Sequence, residues 1–232
     1  MTQVVRSEFI LGGQKSGKSR RAETLAQRWL TGAPQRSALL IATAQAFDDE
    51  MRQRIERHRQ DRLVRVPGMK TIEEPLALTA TIKAFSHPDT LIVIDCLTLW
   101  LTAQLMPPKT DLVATPIACH TGHLSKAINS APLTNSCSLT DHLLSTDHHT
   151  STNNLPSTSW QTLATDLCSA IAQARGPLVL VGNEIGLGVI PLGQEVRVFV
   201  DALGLLNQMV AASSERVTLM CAGLPLVLKG PV

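Results

Sequence analysis

Hydrophobic positions along the chain fall into short solid blocks separated by longer amphipathic stretches. "FILGG" (Phe9 to Gly13) reads as a buried strand that ends in a glycine turn. Lys18 to Leu30 places Ala22, Leu25, Ala26, Trp29 and Leu30 at helical spacing, one apolar stripe on a polar background. Ala38 to Ala44 is a second buried strand, and Asp48 to Gln60 a highly charged helix. Thr71 to Phe85 is predicted as a helix opened by a capping box from Thr71 to Glu74. Thr90 to Leu101 begins as an apolar strand, reaches an acid and continues as a helix. Later come a helix near Trp160 to Ala174, a strand and loop over Gly176 to Glu184, and a long amphipathic helix over Glu195 to Ser213. Two strands, "RVTLMCAG" and "LPLVLK", follow. Apolar strands alternating with helices predict an α/β fold, with a mainly parallel sheet covered by helices on both faces.

One stretch breaks the pattern. From about Pro107 to Ser159 the chain is rich in Ser, Thr, Asn and Pro, and no hydrophobic period is sustained. It reads as a low-complexity insertion in a single domain that otherwise spans 1–232. It holds His120, His123, His142, His148 and His149, but no matching cysteine or carboxylate spacing, so no structural metal site is expected there.

Composition narrows the function classes. Net charge is only +2 and there is no tyrosine, which gives no reason to expect a nucleic-acid partner. The five cysteines are scattered without a C-x-x-C pair, as in a reducing compartment rather than a disulfide framework. Neither a signal peptide nor an 18-residue apolar run is visible, so a cytoplasmic protein without a membrane span is expected.

The first chemistry lies in "GGQKSGKS". Gly12, Gly13, Gln14, Lys15, Ser16, Gly17, Lys18 and Ser19 match G-x-x-x-x-G-K-[ST], between a strand and a helix. In such a phosphate loop the glycines let backbone N–H groups turn inward around an anion, and the helix adds the positive end of its dipole. Lys18 would reach the β- and γ-phosphates, and the Ser19 hydroxyl would ligate Mg²⁺. The loop needs an acid on a neighbouring strand, and "LIVID" supplies Asp95. Asp95 could also cap the helix that follows, and the two roles can coexist. A nucleoside triphosphate is the expected ligand.

The second is "IATAQAFDDEMRQRIERHRQDR". Asp48, Asp49 and Glu50 stand where a helix would start, as caps or as something more. His58 sits four residues after Arg54, on the same face, among Arg57, Arg59 and Arg62. A neutral imidazole nitrogen is a nucleophile, and arginines hold pyrophosphate. Taken alone, the same pattern also describes a histidine on a solvated basic helix. Asn183 and Glu184, at the end of a strand, suit either a turn or a substrate or nucleotide contact.

These blocks together resemble the bifunctional adenosylcobinamide kinase / adenosylcobinamide-phosphate guanylyltransferase family of cobalamin biosynthesis. The matching stretches are "GGQKSGKSRRAE", "IATAQAFDDEMRQRIERHRQDR", "TIEEP", "DCLTLWL", "NEIGLGVIP", "DALGLLNQ" and "AGLPLVLK", in order from Phe9 to Lys229. The resemblance implies a three-layer, RecA-like phosphate-loop domain that forms homo-oligomers. It implies two reactions. ATP or GTP phosphorylates the aminopropanol hydroxyl of adenosylcobinamide; GTP then guanylylates a histidine, and the GMP passes on to give adenosylcobinamide-GDP. Carried onto this chain, that histidine is His58. Ala42, Thr43 and Ala44 would lie beside the guanine nucleotide, and Arg59, Gln60, Asp61, Arg62, Glu73 and Asp95 would complete its contacts. Mg²⁺ would be held by Ser19 and Asp95. The chain departs from the family pattern at Gln14-Lys15, where Ala-Arg is usual, at Gly182 in place of Ser or Thr, and at Val200 in place of Arg. Two other functions fit the phosphate loop: a kinase of a different small molecule, and a nucleotide-gated binding protein.

Overall fold

A computed structural model describes residues 4–46, 48–106 and 159–231. The low-complexity stretch and its five histidines lie outside the described residues. Seven strands form one sheet: β1 (Ser7–Gly12), β2 (Ser37–Ala42), β3 (Lys70–Glu73), β4 (Thr90–Asp95), β5 (Leu178–Val181), β6 (Arg216–Cys221) and β7 (Leu224–Lys229). Their order is β3-β2-β4-β5-β1-β6-β7. The first six run parallel, and β7 returns antiparallel to β6 as a hairpin.

The solid apolar blocks are buried on both faces of the sheet, as central parallel strands must be. On one face Phe9, Leu39, Ile92 and Leu180 pack against α3 (Leu78–Phe85), α4 (Leu97–Leu105), α5 (Trp160–Gln173) and α6 (Gln194–Ser213). On the other, Ile10, Leu40, Val93 and Val179 pack against Ala22, Leu25 and Ala26 of α1 (Lys18–Thr31). The helix α2 (Asp49–Arg65) lies on this second side and buries none of its own residues. Val66, the residue after it, is buried, and Arg65 pairs with Glu23 of α1 at 3.1 Å. This is the three-layer α/β architecture expected from the alternating pattern. By length and composition α6 could cross a membrane, but Ala202, Leu203, Leu206 and Val210 seat it in the core.

One expectation is corrected. Thr71 does not open a helix: Lys70–Glu73 is the edge strand β3, paired with Leu39–Ala42 of β2, and the helix begins only at Leu78. Glu74 instead accepts the N–H groups of Leu76 and Ala77, which stops the chain between strand and helix. Four mostly polar residues show no strand period. They become a strand because β2 otherwise offers an unpaired edge.

A second relationship is long in sequence and short in space. Glu8 of β1 is 1% exposed, yet its carboxylate takes Arg21 Nε at 2.7 Å, Thr218 Oγ1 at 2.9 Å and Arg216 Nη1 at 3.3 Å. Arg216 also donates to the Pro231 carbonyl. The cluster ties β1 and β6 to the first turn of α1.

Candidate active site

Ligands in open parallel sheets bind beyond the C-terminal ends of the strands, and here the register brings the chemistry to that edge. Glu73 of β3, Ala42 of β2 and Asp95 of β4 stand side by side on adjacent strands. Asp95 is paired in turn with Val181 of β5, and Val181 with Ile10 of β1. The phosphate loop leaves β1 two residues later.

The loop's backbone explains its glycines. Gly12 has φ +152, and a Cβ there would lie 2.5 Å from the Met220 carbonyl oxygen and 2.6 Å from Ser16 Oγ. Gly17, at φ +100, forms the N-cap of α1, and the first turn of that helix carries no acid. Its N-terminal N–H groups and dipole are thus left for an anion. The hairpin turn Ala222-Gly223 rests on the loop, with the Gly223 N–H donating to the Ser16 carbonyl at 3.1 Å.

Lys18 is buried, and its ammonium donates to the carbonyls of Gly12 (2.9 Å) and Gly13 (2.6 Å). Burial holds it below its ordinary pKa; the charges of Cys96 and Asp95 oppose that shift and the charge of Arg54 adds to it. Next to Lys18, the Ser19 hydroxyl donates to Asp95 Oδ2 at 3.2 Å. Asp95 does not cap α4: the N-cap is Cys96, which makes no side-chain capping bond. The Cys96 thiol is pushed up to about 11, chiefly by burial and further by the charge of Asp95.

Thr43 is 1% exposed and spends its hydroxyl on β4. It donates to the Cys96 carbonyl at 2.7 Å and accepts the Cys96 N–H at 2.9 Å. It fixes the backbone on which Asp95 sits, a role the sequence does not reveal. Ala42 and Ala44 flank it at the strand end.

On α2, Asp48 is the N-cap and accepts the Met51 N–H at 2.7 Å, as its position predicts. His58 is exposed, as are Arg59 and Gln60. Gln60 donates to Glu56 at 2.6 Å, and Asp61 accepts from Arg65 at 3.1 Å, so both already have partners within the helix. Arg62 Nε is buried without a hydrogen-bond partner. The structure thus brings Lys18, Ser19, Asp95, Ala42 and Glu73 to one sheet edge. His58 and its arginines sit on a separate exposed helix, joined to α1 through the Arg65–Glu23 pair.

A family model described as cobinamide kinase / cobinamide phosphate guanyltransferase matches residues 8–228. The chain belongs to this family. A bifunctional adenosylcobalamin biosynthesis protein, CobP of Pseudomonas aeruginosa, is 36% identical over 223 residues, covering 96% of this chain and 97% of that protein. The bifunctional adenosylcobalamin biosynthesis protein CobU of Escherichia coli is 29% identical over 221 residues, covering 95% and 98%. Among solved structures, the flagellar accessory protein FlaH of Methanocaldococcus jannaschii is superposable with a TM-score of 0.44 at 11% identity, covering 97% of this chain and 78% of that one.

Within the cobinamide kinase / guanylyltransferase family, the departures of this chain now have places. Gly182 follows β5, where a Cβ would lie 2.9 Å from the Phe9 ring and 3.4 Å from Asn207 Oδ1. Val200 is half-buried on α6. Lys15 adopts φ 55 within the loop. None of the three alters Lys18, Ser19, Asp95 or His58.

Proposed function

We propose that the protein carries out both steps on one corrinoid: phosphorylation of the aminopropanol hydroxyl of adenosylcobinamide by ATP or GTP, then transfer of GMP from GTP through His58. The single observation that carries the reading is the Ser19–Asp95 pair beside the buried Lys18 of the phosphate loop. His58 is exposed on α2, one helical turn beyond Arg54, and α2 is tied to the phosphate-loop helix α1 through Arg65 and Glu23. An exposed imidazole on such a helix is suited to take a nucleotidyl group from a bound triphosphate.

In the transfer, a His58 ring nitrogen attacks the α-phosphorus of GTP. The N–P bond forms as the bond from the α-phosphorus to the bridging oxygen breaks, and pyrophosphate leaves with that oxygen. The phosphate oxygen of adenosylcobinamide phosphate then displaces the imidazole, giving adenosylcobinamide-GDP and free His58. Lys18, Arg54, Arg59 and Arg62 supply positive charge to the pyrophosphate, with Gly12 to Gly17 lending backbone N–H groups. Gln60, Asp61, Glu73, Ala42, Thr43 and Ala44 complete the nucleotide site in this reading. Two hard oxygen donors 3.2 Å apart, Ser19 Oγ and Asp95 Oδ2, fit Mg²⁺, which would neutralise phosphate charge there. Among the described residues no cluster of three or more His, Cys, Asp and Glu could hold a metal by itself, so bound phosphates would supply part of the coordination.

The partners are the corrinoid and the nucleotides, in the cytoplasm. Leu187, Val189, Ile190 and Leu192 are all exposed, which supports contact with a further subunit. The test is incubation with Mg²⁺ and α-labelled GTP, then denaturation. Acid-labile, alkali-stable label on the chain, absent from His58→Ala and Lys18→Ala, is the expected result. Tight GTP binding without any labelled chain would sink the guanylyl-histidine step.

A further inference from the structure

Beyond the last residue of β5 the chain keeps its place in the sheet. The Gly182 N–H donates to the Ile10 carbonyl at 3.0 Å and the Glu184 N–H to the Gly12 carbonyl at 3.2 Å, so the ladder with β1 runs on into the phosphate loop. The alternation of faces runs on with it. Val179 and Val181 lie on the α1 face of the sheet, with Ile10 and Val93. Leu180 lies on the opposite face with Phe9, and a Cβ on Gly182 would meet the Phe9 ring there at 2.9 Å. Glu184 follows on that opposite face, its Oε2 directed at Asn207 Nδ2 of α6 across 3.5 Å. Asn183 falls between Gly182 and Glu184 and therefore takes the α1 face. Asp95, two residues after Val93, is on the same face and meets Ser19 of α1.

Asn183 is held in place by two helices. Its N–H donates to Thr98 Oγ1, in the first turn of α4, at 2.9 Å, and its carbonyl accepts Asn207 Nδ2 of α6 at 3.1 Å. Thr98 is 8% exposed and Asn207 4%. Burying a polar side chain costs free energy, and here two of them serve the backbone of one residue, more than a surface turn requires. Asn183 itself is only half-buried, and its side-chain amide makes no hydrogen bond among the described residues. β5 lies between β1 and β4, so the amide stands about one strand spacing, roughly 4.8 Å, from the strand of the phosphate loop and from that of Asp95.

We propose that Asn183 is the γ-phosphate contact of this site: its amide donates to an oxygen of the terminal phosphate and so distinguishes a nucleoside triphosphate from a diphosphate. In phosphate loops the lysine and the cation ligands converge on the β- and γ-phosphates. Here Lys18 follows β1 and the Ser19–Asp95 pair reaches β4, so the terminal phosphate comes opposite the end of the strand between them. An amide N–H donates to a phosphate oxygen without adding charge, and a donor whose backbone is clamped on both sides needs no reorganisation when the phosphate arrives. The proposal rests on the phosphate-loop reading above and requires neither His58 nor the corrinoid.

The experiment compares α,β-methylene-GTP with α,β-methylene-GDP. The two differ only in the γ-phosphate, and the carbon bridge blocks transfer of GMP to His58. Dissociation constants are measured by calorimetry with Mg²⁺ and without corrinoid. Wild type is expected to prefer the triphosphate. Asn183→Ala is expected to lose about 10- to 100-fold in triphosphate affinity, as for one hydrogen bond to a charged group, with diphosphate affinity kept within twofold. Asn183→Asp has the shape of the native residue but sets a carboxylate against the phosphate, and it too is expected to lose the triphosphate preference. Equal losses for both nucleotides in Asn183→Ala overturn the proposal, because they assign the residue a structural role through Thr98 and Asn207. A triphosphate preference that survives in either variant, or that wild type lacks, overturns it as well. If wild type binds neither nucleotide, the phosphate-loop reading itself falls and this proposal falls with it, an outcome distinct from binding that Asn183 does not affect.

Discussion

The Ser19 hydroxyl donates to Asp95 Oδ2 across 3.2 Å, linking two residues 76 positions apart in sequence. The bond joins the phosphate-loop helix to the acid-bearing strand and forms one half of the proposed cation site. Asp95→Asn keeps an oxygen for Ser19 but removes the charge a divalent cation needs. Turnover of nucleoside triphosphate is expected to fall about 100-fold or more, with the thermal midpoint within a few degrees of wild type. Steady-state kinetics across a Mg²⁺ titration, with calorimetry on the same samples, checks both halves.

Lys18 titrates below an ordinary lysine because it is buried. Between that lowered value and about 10.5 the unfolded chain holds this proton and the folded chain has released it. Stability from this group therefore rises with pH across that window, as the cost of burying the charge is relieved, and is level above it. Lys18→Met has no such titration. Relative to the variant, wild type should gain in urea midpoint as pH climbs from 7 toward 10. A gap that stays constant would show that Lys18 has an ordinary pKa. Phosphate attraction moves the opposite way, so triphosphate affinity of wild type should fall over the same window.

The Glu8 carboxylate serves Arg21, Thr218 and Arg216 at once while almost wholly buried. Glu8→Ala leaves positive charge buried without its counter-charge, which costs about 3–5 kcal/mol. At about 2–4 °C per kcal/mol for a chain of this size, the midpoint should drop by roughly 6–20 °C. Because Arg21 stands in the first turn of α1, triphosphate affinity should weaken as well. A midpoint within about 2 °C of wild type would refute the structural weight given to this cluster.

Ala222 and Gly223 take φ 51 and φ 82 in the two-residue turn of the β6–β7 hairpin. Both central residues of such a turn need positive φ, where alanine is strained and asparagine is favoured. Ala222→Asn should stabilise the protein by about 0.5–1 kcal/mol without changing kinetics, since the Gly223 N–H that contacts Ser16 is unaltered. Denaturant unfolding of the pair reads this directly.

Much of the fold could be read in advance because its signals are local. A solid apolar block, a glycine turn and a stripe at helical spacing each lie within a dozen residues, and the chemistry of a phosphate loop depends on consecutive backbone groups. For the same reason Asp48 was legible as the cap of α2. Lys70–Glu73 was not legible as a strand: its own residues carry no strand pattern, and its conformation is set by pairing with Leu39–Ala42. The plausible capping box at Thr71 and Glu74 pointed the other way, and tertiary pairing overrode it.

The sequence by itself determined the three-layer class, the phosphate loop from Gly12 to Ser19, the acid at Asp95 and the histidine among arginines on α2. Each follows from backbone preference, burial period or the charge of near neighbours. Only the tertiary structure decided that Thr43 locks the backbone at Cys96, that Glu8 gathers Arg21 and Arg216, and that Glu184 and Asn207 meet beside the loop. Those pairs form because sheet order and helix packing bring distant residues within hydrogen-bond reach, and no local pattern encodes which distant residue will arrive.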